Sequence, residues 1–170
     1  MMNKGLEIIE ASWLFDMPQD KIDVVVHRES IIHSMIEFVD NSVIAQLGLP
    51  DMRIPIQYAI TYPNRYESPV KELDLTEISN LSFYKPDYDT FKCLRACKKA
   101  IEIGKTAPAI ANGANEVANK MFRDGKIKFL EIGDLVYDAL NNVEVQEIKR
   151  VEDVLNADKS ARQYVLDSVK

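Results

Sequence analysis

The sequence has no long apolar run, no excess of positive charge and few cysteines. No apolar run approaches the roughly 20 residues that cross a bilayer, and the first residues lack the basic-then-apolar pattern of a secretory signal. The 21 Lys and Arg residues are spread among 27 Asp and Glu residues, whereas a nucleic-acid surface requires clustered positive charge. We therefore expect neither a membrane nor a nucleic acid as a partner, and we expect the cytoplasm as the compartment.

The two cysteines, Cys93 and Cys97, are four residues apart in a helical pattern. This spacing places both thiols on one helix face, where they would be able to hold a metal ion. No His or further Cys lies near them in the sequence, so two reduced, partly buried thiols are the favoured interpretation.

The apolar pattern predicts an α+β protein. A first helix is predicted before Pro18, with an apolar stripe made of Leu6, Ile9, Trp13, Leu14 and Met17. The stretch "DVVVH" (23–27) predicts a short buried strand, and residues 32–47 predict a hairpin that turns at 40–42. Asp51 is positioned to cap a further helix that ends at Pro63.

The rest of the chain divides into an irregular stretch and a helical one. Prolines and turn residues interrupt residues 63–89, which predicts an extended linker. Four helices of a small bundle are predicted over 91–104, 106–123, 129–140 and 151–169, with Thr106 as a cap, Gly104 as a stop and a break near 157–158. The expected domains are thus 1–62, part of a catalytic domain with a small sheet and flanking helices, then the linker 63–89, and the four-helix bundle 90–170.

The opening stretch "MMNKGLE" places polar side chains in the first turns of the first helix. The free N–H groups and positive dipole end of a helix attract phosphate, and Lys4 and the Asn3 amide strengthen that attraction. Glu7 adds a hard oxygen ligand that suits Mg²⁺ or Mn²⁺. The alternative is that Lys4 and Glu7, three residues apart, form an ordinary surface ion pair.

Longer stretches resemble a known enzyme family. "MMNKGLEIIEASWLF", "SIIHSMIEFVDNSVIAQLGLPDMRIPIQYAITYP", "PDYDTFKCL" and "ANGANEVANKMF" are similar, in order, to the later portion of 1-deoxy-D-xylulose 5-phosphate reductoisomerases. The resemblance implies an NADPH-dependent enzyme of the non-mevalonate isoprenoid pathway that uses a divalent metal. Members of that family convert their keto-sugar phosphate to 2-C-methyl-D-erythritol 4-phosphate by a skeletal rearrangement followed by hydride transfer.

The resemblance also implies roles for individual residues. Asn3 and Lys4 would bind the substrate and its phosphate, and Glu7 would ligate the metal and the substrate, which makes Lys4 and Glu7 the expected catalytic residues. His33 would orient the substrate, although a structural role is equally open. The residues that would face the nicotinamide or the substrate are Pro50 and Met52. A homodimer is expected, and His27 is expected to be structural.

The sequence also departs from the family pattern. It lacks a Gly-rich dinucleotide loop after a first strand and the family's Asp-Ser-Glu segment, which supplies the other metal carboxylates. We therefore expect a fragment that does not turn over substrate alone. The alternative is a catalytically silent module derived from the enzyme, which dimerises or binds a phosphorylated metabolite.

Overall fold

A computed structural model describes residues 1–169, which form six α-helices, a short 3-10 helix and two β-strands. The α-helices are α1 (Met2–Leu14), α2 (Arg53–Thr61), α3 (Lys92–Ile103), α4 (Ala107–Arg123), α5 (Glu131–Asn142) and α6 (Val151–Ser168). The 3-10 helix is Gln19–Lys21, and the strands are β1 (Ile32–Glu37) and β2 (Val43–Leu47). The predicted α+β class and the four C-terminal helices are therefore confirmed.

The chain divides into two compact units. The first contains Met1–Val24 and the chain from Asp87 onward, and the second is Val25–Pro86. This division differs from the predicted boundaries at residues 62 and 89, because residues 63–86 pack within the second unit instead of forming a separate linker. The first helix accordingly belongs with the C-terminal helices.

The second unit contains a hairpin and a single backbone bridge. Strands β1 and β2 pair antiparallel, with Ile36 opposite Ile44, as the sequence predicts. Val26 and Tyr84 exchange two backbone hydrogen bonds, of 2.8 and 2.9 Å, in an isolated bridge. The strand predicted over residues 23–27 is therefore wrong. Val26 forms an isolated bridge, whereas a strand requires several consecutive paired residues.

The first unit is a helical bundle whose core consists largely of small side chains. Helix α4 lies against α5 and α6, α3 lies against α5, and α1 lies against α3. Alanines, three glycines and several larger apolar residues are buried along these contacts, which lets the helices approach closely. Gly104 ends α3 with a φ of 66°, in agreement with its predicted role as a stop.

Three details of the bundle differ from the prediction. The Thr106 side chain does not cap α4, because its hydroxyl accepts a hydrogen bond from the backbone N–H of Gln146 at 2.9 Å. Helix α5 begins at Glu131 and not at Phe129. Helix α6 continues through residues 157–158 without a break, since Ala157 is buried on its inner face.

The apolar face of α1 also differs from the predicted stripe. Met2, Gly5 and Ile8 are the buried residues of this helix, at a spacing of three. Trp13 and Leu14 are 83% and 77% exposed. The helix therefore makes its contacts through its first two turns, and its last turn presents apolar side chains to solvent.

Candidate functional site

The first two turns of α1 hold the three residues expected to carry the chemistry. Asn3, Lys4 and Glu7 are exposed, because Met2 and Gly5 occupy the buried side of the same turns. Lys4 Nζ donates a hydrogen bond to Glu7 Oε2 at 2.7 Å, and the two side chains are 48% and 52% exposed. The structure thus brings an ammonium and a carboxylate together at the beginning of a helix.

The electrostatics of this helix start favour an anion. The first intrahelical hydrogen bond among residues 1–169 joins the Gly5 N–H to the Met1 carbonyl at 3.0 Å, so the amides of the preceding residues have no helical partner within the described chain. These amides carry the positive end of the helix dipole, and the Lys4 ammonium lies on the same turn. A phosphate would find both amide donors and a positive charge there.

Glu7 fits a divalent cation as one ligand among several. Its carboxylate is exposed and supplies the hard oxygen atoms that Mg²⁺ and Mn²⁺ prefer. Within residues 1–169, no group of three or more His, Cys, Asp or Glu side chains is arranged to hold a metal ion. The described residues therefore contain no complete cation site of this kind, and Glu7 would need further ligands to hold such an ion.

The two histidines bond to backbone carbonyls of the second unit. His33, on β1, has its Nε2 atom 3.1 Å from the Gly48 carbonyl oxygen, so this nitrogen donates. His27 Nδ1 lies 2.9 Å from the Ser82 carbonyl oxygen and 3.0 Å from Glu29 Oε2, and its ring stacks on Phe83. The His27 side chain is 5% exposed. Its surroundings agree with the structural role expected for it.

Pro50 and Met52 lie in the turn that precedes α2, and both are exposed, Met52 by 69%. Asp51 between them accepts a hydrogen bond from the Arg53 backbone N–H at 2.9 Å and pairs with the Arg53 guanidinium at 2.6 Å. The side-chain and backbone hydrogen bonds from Arg53 lower the pKa of Asp51 to about 2. The turn is therefore held by an ion pair while the Met52 thioether faces solvent.

Gly5 is a residue that the sequence prediction did not single out. It lies inside α1, between Lys4 and Glu7, and its Cα faces Cys97 of α3. A Cβ atom added at Gly5 would lie 2.6 Å from Cys97 Sγ and 2.7 Å from Cys97 Cβ. A glycine in the interior of a helix is the sequence signal for such a close approach, although it does not identify the partner.

No helix among residues 1–169 is both long and apolar enough to cross a bilayer.

Comparison with known proteins identifies the family. The model of the DXP reductoisomerase C-terminal domain matches residues 47–164. The 1-deoxy-D-xylulose 5-phosphate reductoisomerase of Bacillus subtilis is 54% identical over 166 residues, covering 97% of this chain and 43% of that protein. The enzyme of the same name from Clostridium perfringens is 50% identical over 167 residues, covering 98% of this chain and 44% of that protein.

Solved structures show the same similarity. The Zymomonas mobilis reductoisomerase in complex with NADPH superposes with a TM-score of 0.94 at 41% identity, covering all of this chain and 45% of that one. A DOX-P reductoisomerase in complex with NADPH, fosmidomycin and magnesium gives a TM-score of 0.94 at 39% identity, covering 99% of this chain and 44% of that one. The chain spans less than half the length of the relatives it matches. It belongs to the DXP reductoisomerase family, and its residues 47–164 match that family's C-terminal domain.

Proposed function

We propose that this chain supplies the substrate-binding helix α1 and the C-terminal part of an NADPH-dependent reductoisomerase. The reaction is the conversion of 1-deoxy-D-xylulose 5-phosphate to 2-C-methyl-D-erythritol 4-phosphate in isoprenoid biosynthesis. The observation that carries the proposal is the pairing of Lys4 with Glu7 on the exposed side of α1, in a chain that is 54% identical to a reductoisomerase. In this proposal, the ammonium that binds the phosphate lies beside the carboxylate that binds the metal.

Asn3 and Lys4 bind the substrate and its phosphate in this proposal. The Lys4 ammonium attracts the phosphate as a point charge, and the Asn3 amide donates a directed hydrogen bond. Both residues are exposed on the first turn of α1. The combined donors fix the phosphate end of the sugar, so that the reacting carbons are held in one orientation.

Glu7 is the metal ligand in this proposal, with Mg²⁺ or Mn²⁺ as the ion. The bound metal supplies Lewis-acid polarisation of the substrate oxygens, which stabilises negative charge as the carbon skeleton rearranges. Since Lys4 lies 2.7 Å from Glu7 in the structure, Glu7 would exchange this ammonium for the cation, and Lys4 would become available to the phosphate. Two crystal structures of relatives at 39% identity contain magnesium together with fosmidomycin.

The remaining predicted residues complete the proposal. The exposed Pro50 and Met52 offer an apolar wall to the nicotinamide of NADPH or to the substrate, because Met52 is a soft side chain that is 69% exposed. His33 orients the substrate through a ring that the Gly48 carbonyl holds in place. NADPH is proposed because the Zymomonas mobilis relative was solved with it. A cytoplasmic homodimer is proposed as the working form.

The chain is proposed to be inactive alone, because one carboxylate does not fill the coordination sphere of Mg²⁺. The test uses a completed enzyme. In this fusion, the part of the Bacillus subtilis relative that precedes the matched region is joined to the N-terminus of this chain. NADPH oxidation with 1-deoxy-D-xylulose 5-phosphate and Mg²⁺ should require the fusion. Activity of the unfused chain would contradict the proposal of inactivity.

The metal role is tested in the completed enzyme with a matched pair of variants. Glu7→Gln removes the anionic ligand at nearly constant shape, and kcat/KM should fall by about 100-fold or more. Glu10→Gln removes an exposed carboxylate one turn later on the same helix and should leave kcat/KM unchanged. Wild-type turnover in Glu7→Gln would refute the metal assignment. If the completed enzyme folds and binds a phosphorylated sugar without turnover, the chain is instead a catalytically silent module that binds a metabolite.

A further inference from the structure

The contact between α1 and α3 leaves no room for a side chain at Gly5. A Cβ atom at this position would lie 2.6 Å from Cys97 Sγ and 2.7 Å from Cys97 Cβ, both closer than real Cβ contacts. The sulfur is able to rotate, but the Cys97 Cβ atom is fixed to the backbone of α3. Cys97 is also fully buried, so its own helix has little freedom to move away.

The need for glycine at this position arises from space and not from backbone conformation. Gly5 lies within a regular helix, and its φ is not in the left-handed region where glycine is favoured. Alanine is the better helix former at such a position, so a glycine there weakens α1 as an isolated helix. The close packing of α3 against α1, which glycine permits, compensates for this loss of helix stability.

The same contact determines where α1 lies relative to the bundle. Carbon atoms pack at about 3.5–4.0 Å, so an alanine at residue 5 would require α1 and α3 to separate by about 1 Å. Lys4 precedes Gly5 directly, and Glu7 follows it by two residues on the same rigid helix. A displacement of α1 at Gly5 would therefore carry both functional side chains with it.

We propose that Gly5 is a positioning residue, whose missing side chain lets α1 lie against Cys97 and thereby fixes where Lys4 and Glu7 meet the substrate and the metal. The proposal rests on the function proposed above for those two side chains. Displacements of about 1 Å at a catalytic group reduce rates by about 100-fold. Gly5 acts without touching the substrate, so its effect should differ from that of a general loss of stability.

Gly113 provides a matched control for stability. A Cβ atom added there would lie 2.7 Å from Asp158 Oδ1 and 2.8 Å from the Asp158 carbonyl oxygen, at the contact between α4 and α6. The clash is of similar severity, and it lies in the same bundle but on helices other than α1. Gly113→Ala should therefore lower the melting temperature without moving α1.

The experiment compares Gly5→Ala, Gly113→Ala and the double variant Gly5→Ala/Cys97→Gly. The double variant removes both atoms that would clash, at the cost of a second glycine in a helix. Melting temperatures and the backbone amide NMR shifts of Lys4 and Glu7 are measured in the 170-residue chain. Values of kcat and KM, and the Mg²⁺ concentration for half-maximal activity, are measured in the completed enzyme, at a temperature where every variant is folded.

Gly5→Ala should shift the amide resonances of Lys4 and Glu7, lower kcat/KM by about 100-fold and raise the Mg²⁺ requirement. The double variant should recover most of each change, and Gly113→Ala should show none of them despite its lower melting temperature. If Gly5→Ala does not fold, the double variant tests the proposal. Amide shifts and kcat/KM close to those of the wild type in the double variant would support it. A double variant that folds without recovering them would overturn it.

The proposal is overturned if Gly5→Ala loses no more activity than Gly113→Ala while Glu7→Gln is inactive. The proposed function itself then still stands. If instead Glu7→Gln keeps wild-type activity, the functional assignment fails, and the positioning role fails with it.

Discussion

Replacing Thr106 by valine should destabilise the helical bundle by a predictable amount. The Thr106 side chain is fully buried, and its hydroxyl accepts a 2.9 Å hydrogen bond from the Gln146 N–H. The Thr106 N–H in turn donates to the Gln146 carbonyl at 3.2 Å. These two bonds join the start of α4 to the segment between α5 and α6.

Valine keeps the shape of threonine but removes the hydroxyl, so the Gln146 N–H loses its acceptor. Leaving a buried donor unpaired costs about 1–3 kcal/mol. Gln146 is an exposed residue, so water is able to replace part of the lost bond, and we expect the lower part of that range, about 1–2 kcal/mol. For a chain of this length, each 1 kcal/mol lowers the melting temperature by about 2–4 °C, which gives a shift of about 2–8 °C.

Urea unfolding followed by circular dichroism measures the change as a lower midpoint at an unchanged m-value. Hydrogen exchange shows where stability is lost, because the Gln146 amide should exchange faster in Thr106→Val than in the wild type. Thr106→Ser keeps the hydroxyl and should keep the amide protected, even though the lost methyl group lowers stability. Unchanged stability and unchanged exchange at Gln146 in Thr106→Val would refute the account of this contact.

Two further predictions follow from perturbed pKa values. Burial, and then the neighbouring Cys93, raise the pKa of the Cys97 thiol to about 12, so about one molecule in 10,000 carries the thiolate at pH 8. Iodoacetamide should label Cys97 at least about 100-fold more slowly in the native chain than in urea, and rapid native labelling at pH 8 would contradict this burial. Asp51 should titrate with a midpoint near 2 by NMR, because its pKa is lowered from 3.8 by Arg53. Its stabilising contribution is complete above about pH 4 and is lost as the pH falls through the folded pKa, and Arg53→Gln should move the midpoint back toward its ordinary value. An unmoved midpoint would show that Arg53 is not the cause.

The sequence predicted elements whose signals are local. The hairpin followed from β-rich runs on either side of Asp40, and the end of α3 followed from Gly104. The meeting of Lys4 and Glu7 followed from helical spacing, since residues three apart lie on one face.

Features that depend on distant parts of the chain were not predictable in the same way. The α1 stripe was assigned from the spacing of Leu6, Ile9, Trp13, Leu14 and Met17. Leu6 and Ile9 do pack against the core, but Trp13 and Leu14 are exposed, because the partner helix α3 selects the face with Met2 and Gly5. Thr106 has the residue type and position of a cap, yet its hydroxyl bonds to Gln146, 40 residues away. The functional roles of all the candidate site residues remain predictions, namely those of Asn3, Lys4, Glu7, His33, Pro50 and Met52.

The packing of α1 against α3 has a consequence for synthesis on the ribosome. About 80 residues separate the end of Met2–Leu14 from the start of Lys92–Ile103, and the whole of Val25–Pro86 is made between them. At about 5–20 residues per second, α1 is exposed for about 4–16 s before translation reaches its partner. The intervening unit therefore has a head start in folding, and the apolar residues of the nascent α1 lack their α3 partner during that time.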